Sequence, residues 1–209
     1  MTGSVKRMTP PPTDADLAMQ ALAGSEDAYR ALVQRYANPA INLATRMVRD
    51  RVLAEDLAQE AFARAFDRLS TYNPSLRFSS WFFQVLHNVT VDHLRRKRVA
   101  TASLDEMQEA GHPGFADPVR LGAPDAAAEH AAMTAALEKA MGALRPEYRE
   151  VVVLRYREEL PVEEISEVMG IPTGTVKTYL FRARKEMADL MTAAGWGRAP
   201  AETVSGDRP

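Results

Sequence analysis

The sequence predicts an all-α protein built as two small helical domains joined by a flexible linker. Three observations carry this. Apolar residues recur every three to four positions through two long blocks, the spacing of one helix face. No stretch of useful length alternates apolar and polar residues as a half-buried strand would. Between the blocks the periodicity lapses over a run punctuated by Gly111, Pro113, Gly114, Pro118, Gly122 and Pro124. The expected layout is a first domain over 13–98, a linker over 99–125, a second domain over 126–194, and disordered ends at 1–12 and 195–209. The chain has 209 residues and is 46% hydrophobic, a globular composition, but domains this small have thin cores that a partner could complete.

In the first block, Asp14 or Asp16 is placed to cap a helix carrying Leu17, Ala21 and Leu22. Ser25 is placed to cap the next, with Ala28, Leu32, Val33 and Tyr36 on one face. Asn38-Pro39 is expected to interrupt it and Ile41 to Val48 to resume it. Leu53, Leu57 and Ala61 continue the pattern, followed by Phe62, Phe66 and Leu69. Tyr72-Asn73-Pro74-Ser75 then breaks it. A last helix starts near Ser79 and carries Trp81, Phe82, Val85, Leu86, Val89 and Leu94.

The second block ends in a helix-turn-helix pattern. Val162 to Met169 reads as a short helix with Ile165 and Val168 inward. Gly170 suits the left-handed position that ends a helix, and Ile171-Pro172 suits an extended turn. Thr173 is placed to cap a second helix in which Val176, Leu180, Ala183 and Met187 share a buried face. That leaves Lys177, Thr178, Phe181, Arg182 and Lys185 outward. Such a helix can lie in a DNA major groove, where Lys and Arg donate to guanine and Thr meets a thymine methyl or a phosphate. A helical hairpin with a solvated charged face fits the same spacing.

Charge and composition exclude several classes. The net charge is −2, unlike an autonomous non-specific DNA binder. Cations nevertheless cluster at Arg95, Arg96, Lys97 and Arg98, and at Lys177, Arg182, Arg184 and Lys185, with an acidic stretch between the clusters. There is no Cys, so a disulfide framework and thiolate metal sites are excluded, and a reducing, cytoplasmic setting fits. No window has the length and apolarity of a membrane helix. Met1 to Pro12 carries Lys6, Arg7 and a Pro run with no apolar stretch behind it, unlike a signal peptide; Met8 offers a second start position. His87 and His93 stand in no metal-ligand spacing, and no nucleophile–base pair or phosphate-cradling loop is legible. No cofactor, metal or catalytic activity is expected.

Four stretches carry a family resemblance. LPVEEISEVMGIPTGTVKTYLFRARKEM, from Leu160 to Met187, resembles region 4.2 of the extracytoplasmic-function (group IV) sigma factors of the sigma-70 family. LRPEYREVVVLRY, from Leu144 to Tyr156, resembles region 4.1. In the first block, AEDLAQEAF from Ala54 to Phe62 resembles region 2.2, and FSSWFFQVLHNVTVDHLRRKR from Phe78 to Arg98 resembles regions 2.3 and 2.4. The two sets stand in the family's order with a linker between them.

The resemblance implies a non-enzymatic initiation factor that brings core RNA polymerase to −35/−10 promoters and assists melting. It also implies a stress response under anti-sigma control. Asp56, Gln59 and Glu60 would dock on the β′ clamp helices, with Gln59 central; without the resemblance, a solvated helix face is the plainer reading of these residues. The second domain would meet the β flap. Phe78, Trp81 and Asn88 would handle −10 bases that leave the stack, although aromatics here also suit a core. Arg95, Arg96, Lys97 and Arg98 would hold the DNA backbone, or merely end a helix. Lys177, Thr178, Phe181, Arg182 and Lys185 would face the −35 element. Tyr179 departs from the family pattern, where Arg or another polar residue is frequent. A stand-alone helix-turn-helix regulator is the rival reading; it calls for a sensor domain in the first block, where no α/β pattern is found.

Overall fold

The structure, a computed structural model, describes residues 11–102 and 124–196, with side chains for 11–97 and 128–196. Helices α1 (Asp14–Leu22), α2 (Glu26–Val48), α3 (Arg51–Asp67) and α4 (Phe78–Ala102) come first, with a 3-10 turn at Leu69–Thr71 before α4. Helices α5 (Pro124–Ala143), α6 (Pro146–Tyr156), α7 (Val162–Met169) and α8 (Thr173–Ala193) follow. No strand occurs among the described residues. The chain divides into two compact units, with the main boundary between Ala100 and Thr101.

In the first unit the cap of α1 is Thr13, rather than either aspartate. Its hydroxyl accepts from the Asp16 N–H, and the Asp16 carboxylate accepts from the Thr13 N–H, a capping box. Asp14 instead accepts from Arg35 and from the Tyr36 hydroxyl, tying α1 to α2. Leu17, Ala18 and Ala21 form the buried face of α1, and Leu22 is exposed.

Two expected breaks differ. Helix α2 runs unbroken through Pro39. Proline removes one intrahelical hydrogen bond, but Leu32 and Tyr36 before it and Ala40, Leu43, Ala44 and Met47 after it are all buried on α2. Burial of that continuous face outweighs a local defect. The chain instead leaves the helix at Arg49, whose φ is 60°, and Asp50 caps the separate helix α3 through the Leu53 N–H at 3.1 Å. Helix α3 packs on α2 and ends at Asp67, ahead of the expected stop. Helix α4 supplies Phe82, Phe83, Leu86 and Val89, all fully buried. It extends through Ala102, past the expected boundary at Arg98. Most of the expected linker, 103–123, lies outside the described residues.

The second unit has an aliphatic core of Leu144, Val151, Leu154, Leu160, Ile165, Val176 and Ala183. Helix α8 packs on α5 and on α6. Arg149, only 2% exposed, donates to the carbonyls of Met141 and Gly142 at 2.9 Å and of Leu144 at 2.7 Å. It thereby satisfies carbonyls that the end of α5 leaves open, where a cation is also favoured. The turn after α7 has Gly170 at φ 64°, and the Ser166 hydroxyl donates to the Ile171 carbonyl at 2.5 Å. Pro172, rather than Thr173, takes the cap position of α8. No side chain caps there; the Pro172 carbonyl accepts from the N–H groups of Thr175 and Val176. At the far end, Gly195 (φ 84°) and the Trp196 N–H on the Met191 carbonyl close α8; the rest of the expected tail, 197–209, lies outside the described residues.

Candidate nucleic-acid and partner interfaces

Helix α8 keeps its two sides apart. Val176, Leu180 and Ala183 are buried, and Met187 is half-buried beyond them. Lys177, Thr178, Phe181, Arg182 and Lys185 are all exposed, Phe181 by 63%. The Thr178 hydroxyl donates to the Gly174 carbonyl at 2.9 Å. The Arg182 guanidinium donates to the hydroxyl of buried Tyr148 at 3.3 Å, and the Tyr148 ring lies 5.2 Å from that of Tyr179. Tyr148 holds the Arg182 guanidinium above its ordinary range, first through that hydrogen bond.

The other candidate DNA surface grows out of an aromatic core. Phe78 is 2% exposed and is surrounded by Tyr36, Tyr72, Trp81 and Phe82 at centroid distances of 5.3 to 6.1 Å. Expected as a base contact, it is enclosed by these rings in the structure. Trp81 is half-buried, 5.5 Å from both Tyr72 and Phe78, and keeps part of its indole accessible. Asn88, Arg95, Arg96 and Lys97 are exposed. The side chain of Arg98 lies outside the described residues. Trp81, Asn88 and Arg95 stand seven residues apart, so they share one side of α4.

The turn before α4 is held by its own side chains. The Tyr72 hydroxyl donates to the Leu76 carbonyl at 2.7 Å, and Asn73 Oδ1 accepts from the Ser75 N–H and hydroxyl at 3.0 and 2.8 Å. Burial, then the negative charge of Asp14, pushes the Tyr72 phenol above its ordinary range. Leu76 is left 56% exposed beside exposed Arg77. Sequence reading missed Leu76; the Asn-Pro-Ser turn signal that lifts it outward was legible.

On α3, Asp56 and Gln59 are exposed, whereas Glu60 is half-buried and accepts from Arg64 at 2.5 Å. Val52, 71% exposed, lies four residues before Asp56 and seven before Gln59, on the same side of α3, and was also missed. Among the described residues, no group of three or more His, Cys, Asp or Glu could hold a metal. No helix there is long and apolar enough to cross a membrane.

Of the two helical units, the second ends in a helix-turn-helix whose outer face is cationic. Family models match each unit: Sigma-70 region 2 over 32–99, and Sigma-70, region 4 over 134–187. The chain is 33% identical over 179 residues to the ECF RNA polymerase sigma factor SigW of Bacillus subtilis, covering 82% of this chain and 95% of that protein. It is 32% identical over 160 residues to SigM of the same organism, covering 76% and 92%. A solved structure of the sigma factor RpoE in complex with the anti-sigma factor NepR from Bartonella quintana matches with a TM-score of 0.64 at 19% identity. The match covers 78% of this chain and 96% of that one; at such identity the likeness speaks for the fold. The chain belongs to the extracytoplasmic-function sigma factors of the sigma-70 family.

Proposed function

We propose that this sigma factor directs core RNA polymerase to −35/−10 promoters through two separate surfaces and assists melting, with no catalysis of its own. The observation that carries the reading is the pair of family matches, region 2 and region 4, in order on one chain. A stand-alone helix-turn-helix regulator would leave the region 2 match without a purpose.

Within this reading, residues 13–98 bind polymerase and the −10 element and 126–194 read −35, with 99–125 as tether. Asp56, Gln59 and Glu60 face the β′ clamp helices, and exposed Val52 adds an apolar anchor to that side of α3. The second unit meets the β flap. Trp81 and Asn88 handle −10 bases, Arg95, Arg96, Lys97 and Arg98 hold the backbone, and Phe78 supports Trp81 from the core. Lys177, Thr178, Phe181, Arg182 and Lys185 face −35. Each unit binds DNA weakly alone, and joining both to one polymerase multiplies the affinity. A mildly acidic free chain avoids non-specific DNA, because the polymerase supplies much of the cationic surface. Activity in the cytoplasm under an anti-sigma partner, in a stress response, completes the reading. Relatives of this fold include a sigma factor solved with an anti-sigma factor.

Run-off transcription with core polymerase on a genomic promoter library tests it. Discrete starts should require this chain, and Gln59→Ala should weaken them roughly 5-fold, the loss of a contact worth about 1 kcal/mol. No starts, with specific duplex binding by the chain alone, would return the function to a stand-alone regulator.

A further inference from the structure

The aromatic cluster beneath the proposed −10 surface contains one buried phenol that joins three helices. We infer that Asp14, on α1, is a positioning residue for promoter opening: through Tyr36 it fixes the first turn of α4, and with it Trp81, for the −10 base that leaves the stack. The inference rests on the assignment of the first unit to the −10 element.

Tyr36 is buried on α2, where an unpartnered hydroxyl would be costly. It has two partners. Its hydroxyl donates to one oxygen of the Asp14 carboxylate, and Ser79, the second residue of α4, bonds to the same phenol. The other Asp14 oxygen accepts from Arg35 at 2.6 Å. Arg35 also donates to the Pro12 carbonyl at 2.8 Å, so the carboxylate is itself held in place. Burial, then the bond to Asp14, pushes the Tyr36 phenol far above its ordinary range, and it stays a donor at any pH the fold withstands.

This polar node adjoins the residues proposed to meet the base. The Tyr36 ring lies 5.3 Å from that of Phe78, and Phe78 lies 5.5 Å from Trp81 and 5.4 Å from Tyr72. Helix α1 also packs on the 3-10 turn Leu69–Thr71, just ahead of Tyr72, where the charge of Asp14 is felt as well. Apolar packing of Phe82, Phe83 and Leu86 fixes which face of α4 is buried, but it is non-directional. A hydrogen bond constrains both distance and angle. The chain from Ser79 through Tyr36 to Asp14 supplies that constraint at the end of α4 that carries Trp81, two residues after Ser79. A pocket for an unstacked base works best when its wall is set before the base arrives, because its contacts must offset the unstacking.

The test uses holoenzyme reconstituted from the full chain and core polymerase, on a promoter from the run-off library. Opening is read as permanganate reactivity of unpaired thymines, and each non-template −10 base is removed in turn by an abasic substitution. In wild type one position should stand out, where loss of the base slows opening most. Asp14→Ala should slow opening of the intact promoter by about 2- to 10-fold, and shrink the cost of the abasic substitution at that position by the same factor. The cost of changes in the −35 element should stay as in wild type. Tyr36→Phe keeps the ring and should behave alike, and the double variant should be no slower than Asp14→Ala alone. Asp14→Asn should keep the wild-type abasic cost, since its amide still bonds to a phenol that both donates and accepts. A merely structural carboxylate would lower the thermal midpoint and the active fraction and leave the abasic cost unchanged. That pattern overturns the inference, as does wild-type opening in folded Asp14→Ala. Should Asp14→Ala fail to fold in a thermal melt, the same outcomes in Tyr36→Phe decide. If no −10 position responds to loss of its base in wild type, the −10 assignment of the first unit falls, and the inference with it.

Discussion

The two units build their proposed DNA surfaces on small cores in opposite ways. In the first, the proposed reading face and the core are one aromatic cluster: Trp81 lies against Phe78, and Phe78 against Tyr36 and Phe82. In the second, the core is aliphatic, α8 turns its cationic side fully outward, and the adjoining helix is closed by a buried arginine. A side chain that both packs and reads cannot be changed for one purpose alone. The first unit should therefore couple promoter reading closely to stability, and the second less so, its tie between core and outer face being the bond from Arg182 to buried Tyr148.

The largest effect expected from that contrast is at Phe82. Phe82→Ala removes a fully buried ring and should cost about 3–5 kcal/mol, read as a lowered denaturant midpoint. Promoter opening should fail together with the fold. Opening retained in a destabilised variant would break the proposed coupling. Arg149→Met comes next, with a loss of roughly 2–3 kcal/mol, because three carbonyls lose a charged donor inside the second unit. Hydrogen exchange should accelerate in α5 and α6 while α2 and α4 keep their protection.

Smaller effects sharpen the comparison. Thr13→Ala should cost about 1 kcal/mol by removing the cap of α1, with faster exchange confined to that helix. The same box gives a pH signature. Hydrogen bonds from Thr13, side chain first, hold the Asp16 carboxyl below its ordinary range. A depressed carboxylate stabilises the fold above its unfolded value and loses that contribution as pH falls through its folded one. Protection of α1 should thus persist through mild acid and drop only below the usual aspartate range, and Thr13→Ala should shrink that step. Tyr72→Phe is the finest probe. It removes the bond to the Leu76 carbonyl, worth about 0.5–1 kcal/mol, and should slow promoter opening with the core aromatics still in place. Unchanged opening would take the Tyr72–Leu76 turn out of the reading surface.

The helix-turn-helix was the most legible part. Gly170, Pro172 and the spacing of Val176, Leu180 and Ala183 are local signals, and the structure follows them, with the cap shifted from Thr173 to Pro172 and Met187 only half-buried. The cationic residues of α8 were legible because periodicity sorts a helix into sides without help from any neighbour. Pro39 misled for the opposite reason. A proline is a strong local signal, but whether it ends a helix depends on the burial on either side of it. Phe78 and Trp81 could not be separated either. Both are aromatic and three residues apart, and only the positions of Tyr36 and Tyr72 decide that one is enclosed and the other half-open.

The sequence by itself determined the helical class, the two blocks, the family and the outward side of α8, because these follow from short-range periodicity and from motifs read in order. Tertiary structure alone decided which arginines are structural and which are presented. Arg149 and Arg182 look alike in the sequence, but one is buried against the carbonyls closing α5 and the other is steadied at the surface by Tyr148. The physical reason is that a guanidinium's role depends on whether carbonyls, a hydroxyl or water lie within about 3 Å of it. Residues distant in sequence set that distance.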